Sequence, residues 1–312
     1  MRAAGITEIG GPLRMLHLDE PHDVAAEEVV IDVRAGGVGN WDELVRVGSW
    51  QIGGPPPMAL GVEAAGVVAR VGDAVTGFAV GDEVMTHPLP LRRNGTWAER
   101  ALAPATTLAL KPPTVSFEAA GAFPVPALTA LQVMDEALAV QHGEWMLVHG
   151  AGGVTGGLLV QLAATRGASV IATASRAKAE RLRRYGAREV LDYHDEAWPE
   201  LVREITGGAG VAKAANAARG GADTALRAVA TGGSLATITG DPPESERSVA
   251  VSSVYVRPDG QQLSALVALL VDGTLSFEVS VVRPLAQAAT ALADAASGHT
   301  DGPVVISLAA RD

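Results

Sequence analysis

The sequence predicts an α/β protein built from a β-rich part and a doubly wound parallel sheet. Three observations carry this expectation. Short apolar or alternating runs separated by Gly- and Pro-rich turns fill the first third, while from residue 118 runs of helical period alternate with short strands. At the centre, a strand, a glycine-dense turn and a helix follow one another directly. At 312 residues the chain exceeds the size at which one hydrophobic core ordinarily keeps growing, so two domains are expected.

In order along the chain, Val29 to Arg34, Gly66 to Val71 and Asp82 to Thr86 read as strands. Gly53-Gly54-Pro55-Pro56-Pro57 and Gly72-Asp73 supply turn chemistry between them. Glu118 to Leu138, Val154 to Arg166 and Lys178 to Tyr185 have helical spacing, and Gly186 stops the last. Met146 to His149, Ser169 to Thr173, Glu189 to Asp192, Gly210 to Ala214 and Ser234 to Thr239 are the alternating strands. After Arg257-Pro258-Asp259-Gly260 come a helix to Val271, a strand near Glu278 to Val282, a helix from Pro284 to Ala296 and a last strand, Val304 to Ile306.

Composition narrows the function. Hydrophobic residues are 48% and charged residues 19%, which marks a packed globular protein. Twenty-four basic against 35 acidic residues leave a net charge of −11, which repels nucleic acid and anionic membranes. With no cysteine, the chain has no disulfide, no thiolate nucleophile and no cysteine-bearing zinc or iron–sulfur site. The N-terminus lacks the apolar stretch of a signal peptide, and Leu263 to Val271 is too short to span a bilayer. A soluble, cytoplasmic protein acting on a small molecule is expected, without nucleic-acid or membrane partners.

The central segment carries the chemistry. Gly150, Gly153 and Gly156, with Gly152 and Gly157 beside them, form a G-x-x-G-x-x-G turn between an apolar strand and an apolar helix. Glycine lets a ligand's oxygens approach the backbone, and the helix start, with Val154 and Thr155, offers unpaired N–H groups and a positive dipole end to a pyrophosphate. A second strand after Gly167 completes a βαβ unit of the length that dinucleotide binding requires. A tight strand-to-helix turn holding no ligand is the other reading. The second strand ends Thr173-Ala174-Ser175-Arg176-Ala177-Lys178, with no acid before Glu180 to accept from a ribose 2′-hydroxyl. Ser175, Arg176 and Lys178 instead suit a 2′-phosphate, which predicts NADPH rather than NADH. Solvated charges at a helix start are the alternative.

Several segments resemble one family. Gly61-Val62-Glu63-Ala64-Ala65-Gly66-Val67-Val68-Ala69-Arg70-Val71-Gly72 and Phe78-Ala79-Val80-Gly81-Asp82-Glu83-Val84 are similar to the G-x-[DE]-x-A-G-x-V-x-x-V-G…F-x-x-G-D-x-V block of medium-chain dehydrogenases/reductases. Gly95-Thr96-Trp97-Ala98-Glu99, Pro124-Val125-Pro126-Ala127-Leu128-Thr129-Ala130 and Asp192-Tyr193 fit in the same order. The resemblance implies a GroES-like catalytic domain over 1–117 and 260–312, a Rossmann NADP-binding domain over 118–259, and a cleft where cofactor and substrate meet. The family's alcohol dehydrogenase branch holds zinc through a Cys near the position of Gly39 and a His at the position of Val62, neither of which is present here. The seven histidines form no close ligand pair, so the resemblance is to the zinc-free, NADPH-dependent quinone oxidoreductases.

That resemblance adds Tyr193 and Lys178 to the NADPH phosphate site and a homodimer along the Rossmann sheet edge, around Val249 to Val256. On the substrate side it points to Asp42, in Gly37-Val38-Gly39-Asn40-Trp41-Asp42, and to Thr129. The family pattern is G-V-N-x-x-D, and Gly39 stands where its Asn would be. For Asp42 an N-cap role for the helix from Glu43 is the competing reading. Trp50 and His87 are further candidates to line a cleft, with a core or interface place for Trp50 equally open. Without a metal's Lewis acidity a conjugated acceptor is favoured, because its charge spreads to an oxygen that one hydrogen bond can steady. An enoyl or alkenal double-bond reductase and a non-catalytic NADPH sensor are the alternatives.

Overall fold

The computed structural model describes residues 1–308, which form two compact units. One unit comprises Met1–Val125, Arg257–Asp272 and the segment from Phe277 on; the other comprises Pro126–Val256 and Gly273–Ser276.

The first unit opens with β1 (Arg2–Ile6), β2 (Arg14–His17), β3 (Glu28–Val38), α1 (Asn40–Arg46), β4 (Met58–Ala59), β5 (Ala64–Val71), β6 (Glu83–Thr86), β7 (Arg100–Pro104), β8 (Leu108–Leu110) and α2 (Phe117–Gly121). β3 is the hub: it pairs antiparallel with both β5 and β7, and Val29, Val30 and Ile31 have no exposed surface. A strand covered on both faces loses the alternation of a surface strand and reads as a continuous apolar run. Val29 and Ile31 pack with Val68, Val84, Ala103 and Leu108 as one core.

The helix expected over 118–138 is broken into pieces. α2 stops at Gly121, α3 (Pro124–Gln132) starts afresh, and Val133–Ala137 form a π turn. Pro124 has no N–H to continue the first helix and drives the residue before it out of the α region, but its fixed φ suits the first turn of the next.

The second unit continues with β9 (Trp145–His149), α4 (Val154–Thr165), β10 (Ser169–Ala174), α5 (Ala179–Arg184), β11 (Ala187–Asp192), α6 (Trp198–Ile205), β12 (Val211–Asn216), α7 (Ala222–Arg227), β13 (Val229–Thr237) and β14 (Ala250–Ser253). Among the described residues the strands lie in the order β11-β10-β9-β12-β13-β14, all pairs parallel. The chain winds outward from β9 to β11, then returns to β12 on the other side of β9. At such a reversal the loops leaving neighbouring strands diverge, and a crevice opens beyond the strands' carboxyl ends.

The chain then returns to the first unit through α8 (Gly260–Val271), β15 (Val281–Pro284), α9 (Ala288–Ser297) and β16 (Val304–Ser307). Asp259 caps α8 by accepting from the N–H groups of Gln261 and Gln262, both at 2.9 Å. β16 pairs antiparallel with β3 and parallel with β15. β15 starts at Val281 rather than Glu278. The helix expected from Pro284 starts at Ala288, because Pro284 stays extended with ψ at 155° and a 3₁₀ turn follows it. Among the described residues, no helix is long and apolar enough to cross a membrane.

Candidate functional site

The turn between β9 and α4 lies at the reversal of strand order. Gly150 has φ of +79°, and a Cβ there would sit 2.7 Å from the Ala218 nitrogen, so both backbone conformation and crowding require glycine. The turn is tied to β10: Thr173 Oγ1 accepts from the Gly150 N–H at 3.2 Å and pairs with His149 Nδ1 at 2.6 Å. Gly153 is the N-cap of α4 and no side chain caps it. The first-turn residues Val154, Thr155 and Gly156 therefore present N–H groups with no intrahelical acceptor at the positive end of the dipole.

Gly153 and Gly156 are glycine for different reasons. A Cβ on Gly153 would meet only the Gly150 oxygen, at 3.7 Å, so it would point into open space. A Cβ on Gly156 would lie 2.3 Å from the same oxygen and 2.8 Å from the Ala151 Cα. Gly156 lets the helix close onto the turn, whereas Gly153 leaves a cradle that a side chain would fill.

Beside this cradle lies the basic end of β10. Ser175 opens a 3₁₀ turn over Arg176–Lys178. Lys178 Nζ and Arg181 Nη2 both donate to the Gly152 carbonyl, at 3.2 and 2.9 Å. Arg176 Nε meets Asp192 Oδ2 at 3.0 Å. Asp192 Oδ1 also accepts from the His194 N–H at 3.1 Å and pairs with its Nδ1 at 2.7 Å. These bonds, those from His194 foremost, hold the Asp192 carboxyl below its ordinary range. Tyr193 is half-exposed and stacks on His194 with ring centroids 4.0 Å apart. A cavity of about 320 Å³ opens here, lined by Ala174, Arg176, Arg183 and Asp192.

The strand end carries no acid before Glu180, yet the fold brings Asp192 to Arg176. β10 and β11 are parallel neighbours with Ala174 opposite Asp192, so an acid 16 residues away in sequence faces the cation. Arg181 was missed as well, because nothing in a short helix marks which cation turns toward the glycine turn.

On the other side of the turn, the ends of β12 and β13 carry a polar network that sequence reasoning did not single out. Asn216 Nδ2 donates to Thr237 Oγ1 and Thr239 Oγ1, both at 3.0 Å, and Asn216 Oδ1 accepts from the Ala218 N–H at 3.1 Å. Asp241 accepts from the Gly220 N–H at 2.7 Å, from Thr237 Oγ1 at 3.1 Å and from Thr239 Oγ1. His149 lies under these loops, stacked on Trp198 at 4.7 Å, and burial pushes it down to about 4, so it is neutral at pH 7.

The first unit holds a separate buried cluster. Asp42 is not the N-cap of its helix: Gly39, extended at φ −142° and ψ 175°, takes that place and Asp42 stands at N3. From there Oδ2 accepts the Gly39 N–H at 2.9 Å. The side chain has no exposed surface, and Oδ1 has no hydrogen-bond partner among the described residues. Burial pushes Asp42 up to about 8, against the opposing bonds from Gly39 and Gly61. Glu63, equally buried, accepts the Val125 N–H at 2.8 Å and is raised well above its ordinary value by desolvation, with Asp42 adding to it. His87 donates from Nδ1 to the Val62 oxygen at 2.6 Å, and burial lowers it to about 4. At pH 7 Asp42 therefore keeps its proton and His87 is uncharged, while burial favours the protonated form of Glu63. Thr129 is buried on α3 and belongs to the second unit, whereas Asp42 belongs to the first. Trp50 is half-buried and His87 fully buried.

Among the described residues, no group of three or more His, Cys, Asp or Glu side chains has the geometry to hold a metal ion. A family model described as the alcohol dehydrogenase GroES-like domain matches residues 25–113, and one described as zinc-binding dehydrogenase matches residues 185–306. The chain is 38% identical over 162 residues to a 2-haloacrylate reductase of Burkholderia sp, covering 51% of this chain and 47% of that protein. It is 34% identical over 203 residues to a quinone oxidoreductase of Salmonella typhimurium, covering 64% of this chain and 60% of that protein. The chain thus spans about half the length of the curated relatives it matches. Two solved structures are similar over nearly the whole chain. An NAD-dependent alcohol dehydrogenase superposes with a TM-score of 0.90 at 30% identity, covering 99% of this chain and 100% of that one. A mycobacterial protein in complex with NADPH gives a TM-score of 0.85 at 31% identity, covering 98% of this chain and 100% of that one. The parallel sheet around the glycine turn, the GroES-like antiparallel unit and these full-length similarities agree: the chain belongs to the medium-chain dehydrogenase/reductase family of oxidoreductases.

Proposed function

We propose that this protein is an NADPH-dependent reductase that delivers a hydride to a quinone or another conjugated carbonyl acceptor without zinc. The observation that carries this reading is the uncapped start of α4 at Gly153, open where a Cβ would point and flanked by Lys178. Pyrophosphate oxygens fit the first-turn N–H groups of Val154, Thr155 and Gly156, and a 2′-phosphate fits Ser175, Arg176, Lys178 and Tyr193. The bound dinucleotide supplies the hydride. The acceptor gains that hydride at an electron-poor carbon and a proton at its oxygen, so one NADPH and one proton are consumed per acceptor reduced.

Asp42 and Thr129 serve the acceptor side in different ways. Thr129 offers a hydroxyl donor. Asp42, with no exposed surface, acts as a positioning residue by fixing the backbone at Gly39. Zinc is left out because Gly39 and Val62 stand where the metal-binding branch has ligands and no cysteine is available to replace them. In the same reading the enzyme is a cytoplasmic homodimer joined at the outer edge of β14, with no nucleic-acid or membrane partner.

A double-bond reductase is the second reading, favoured by the similarity to a 2-haloacrylate reductase. The test is NADPH oxidation with 1,4-benzoquinone, 9,10-phenanthrenequinone, a 2-alkenal and an enoyl thioester, before and after EDTA and against a blank without protein. Turnover that survives EDTA is expected, and the preferred acceptor separates the two readings. Activity lost in EDTA and restored by zinc overturns the zinc-free mechanism. Tight NADPH binding with no turnover on any acceptor points to a sensor instead.

A further inference from the structure

The polar network at the ends of β12 and β13 lies across the glycine turn from the basic cluster. The segment from Ala217 to Gly221 abuts the turn directly: a Cβ on Gly150 would be 2.7 Å from the Ala218 nitrogen, and one on Gly221 would be 2.4 Å from His149 Nε2. Asp241 holds that segment through the Gly220 N–H at 2.7 Å while accepting from the hydroxyls of Thr237 and Thr239. Burial raises the Asp241 carboxyl, but its hydrogen bonds outweigh burial and leave it below the ordinary range, so it is ionised at pH 7.

A dinucleotide lying across a crevice of this kind has its pyrophosphate at the glycine turn and its two nucleosides on opposite sides. If the phosphorylated ribose lies at Ser175, Arg176 and Lys178, the nicotinamide half lies toward β12 and β13, the side on which Asp241 holds the Ala217–Gly221 segment as an ionised carboxylate. The ring is neutral when reduced and cationic once its hydride has left. A nearby fixed carboxylate favours the cation, and the preference grows where water is scarce.

We propose that Asp241 is a positioning residue that also tilts the site toward the oxidised dinucleotide, stabilising the charge that develops on the nicotinamide side as hydride departs. The inference rests on the proposed NADPH site. Calorimetric titration with NADPH, NADP⁺ and 2′,5′-ADP on the parent and on Asp241→Asn tests it without any turnover. The variant should weaken NADP⁺ about fivefold more than NADPH and leave 2′,5′-ADP, which lacks the nicotinamide, unchanged. Equal weakening of NADP⁺ and NADPH, or no change in either, overturns the proposal, because loosening the loop alone affects both redox forms alike. A parent protein that binds none of the three ligands overturns the NADPH site itself and this inference with it. Should Asp241→Asn not fold, as judged by circular dichroism, Asp241→Ser removes the same charge and is read against the same two outcomes.

Discussion

Lys178 donates from Nζ to the Gly152 carbonyl at 3.2 Å, so the fold itself holds this ammonium against the glycine turn. Arg176, nine-tenths exposed, instead pairs with Asp192 at 3.0 Å. The two cations are therefore unequal candidates for a phosphate: Lys178 is held beside the cradle, while Arg176 is nine-tenths exposed and turned to Asp192.

Replacing Lys178 by Ala is expected to weaken NADPH by about 1.5–3 kcal/mol, more than tenfold, while leaving NADH nearly unchanged. Arg176→Ala should lose less, because its guanidinium is nine-tenths exposed and is not held against the glycine turn. Calorimetric titration of both cofactors on each variant checks the order, and a larger loss in Arg176→Ala would reverse the assignment.

The two glycines of the turn predict opposite phenotypes. Gly153→Val sends its side chain into the open cradle, so the protein should fold with an unchanged circular dichroism spectrum and bind NADPH at least tenfold more weakly, a loss of about 1.4 kcal/mol or more. Gly156→Val meets the Gly150 oxygen instead, an overpacking expected to cost about 1–3 kcal/mol of stability. Urea denaturation separates them. A Gly153→Val protein that folds and binds like the parent would exclude the cradle as the phosphate site.

The buried acids set a pH dependence of stability. Asp42 holds a proton in the fold up to about 8, whereas the unfolded chain releases it near 3.8, so stability falls as pH rises through that window. Glu63 acts in the same direction. His87 and His149 work oppositely: both are lowered to about 4 from 6.5, so their contribution is lost as pH drops below 6.5. Between pH 6.5 and 8 the histidine contribution is level and the decline from Asp42 dominates. Asp42→Asn should flatten the decline there by up to about 1.4 kcal/mol per pH unit. Urea unfolding of parent and variant at pH 6.5 and 8 measures it, and parallel declines would show that Asp42 is ionised in the folded protein.

Much of this was legible in the sequence, and the rest shows why. The β9–α4–β10 unit and the alternation behind it are local patterns, and the fold follows them closely. The break at Pro124 was also written in the chain, but helical period across 118–138 masked it. An N-cap role for Asp42, the competing reading of that position, supposes a helix starting at Glu43; the extended Gly39 caps it three residues earlier. Asp192 beside Arg176 and the Asn216–Asp241 network required the strand order, which no single stretch of sequence encodes. Pairing distant residues through parallel neighbours is a property of the sheet, and only the folded chain displays it.

The measurement closest to the central claim compares NADPH with NADH in turnover, using whichever conjugated acceptor is reduced fastest and with EDTA present throughout. The basic end of β10 and the open turn at Gly153 together predict kcat/KM at least about tenfold higher for NADPH, equivalent to about 1.4 kcal/mol. Equal values, a preference for NADH, or no turnover with either cofactor would contradict the account.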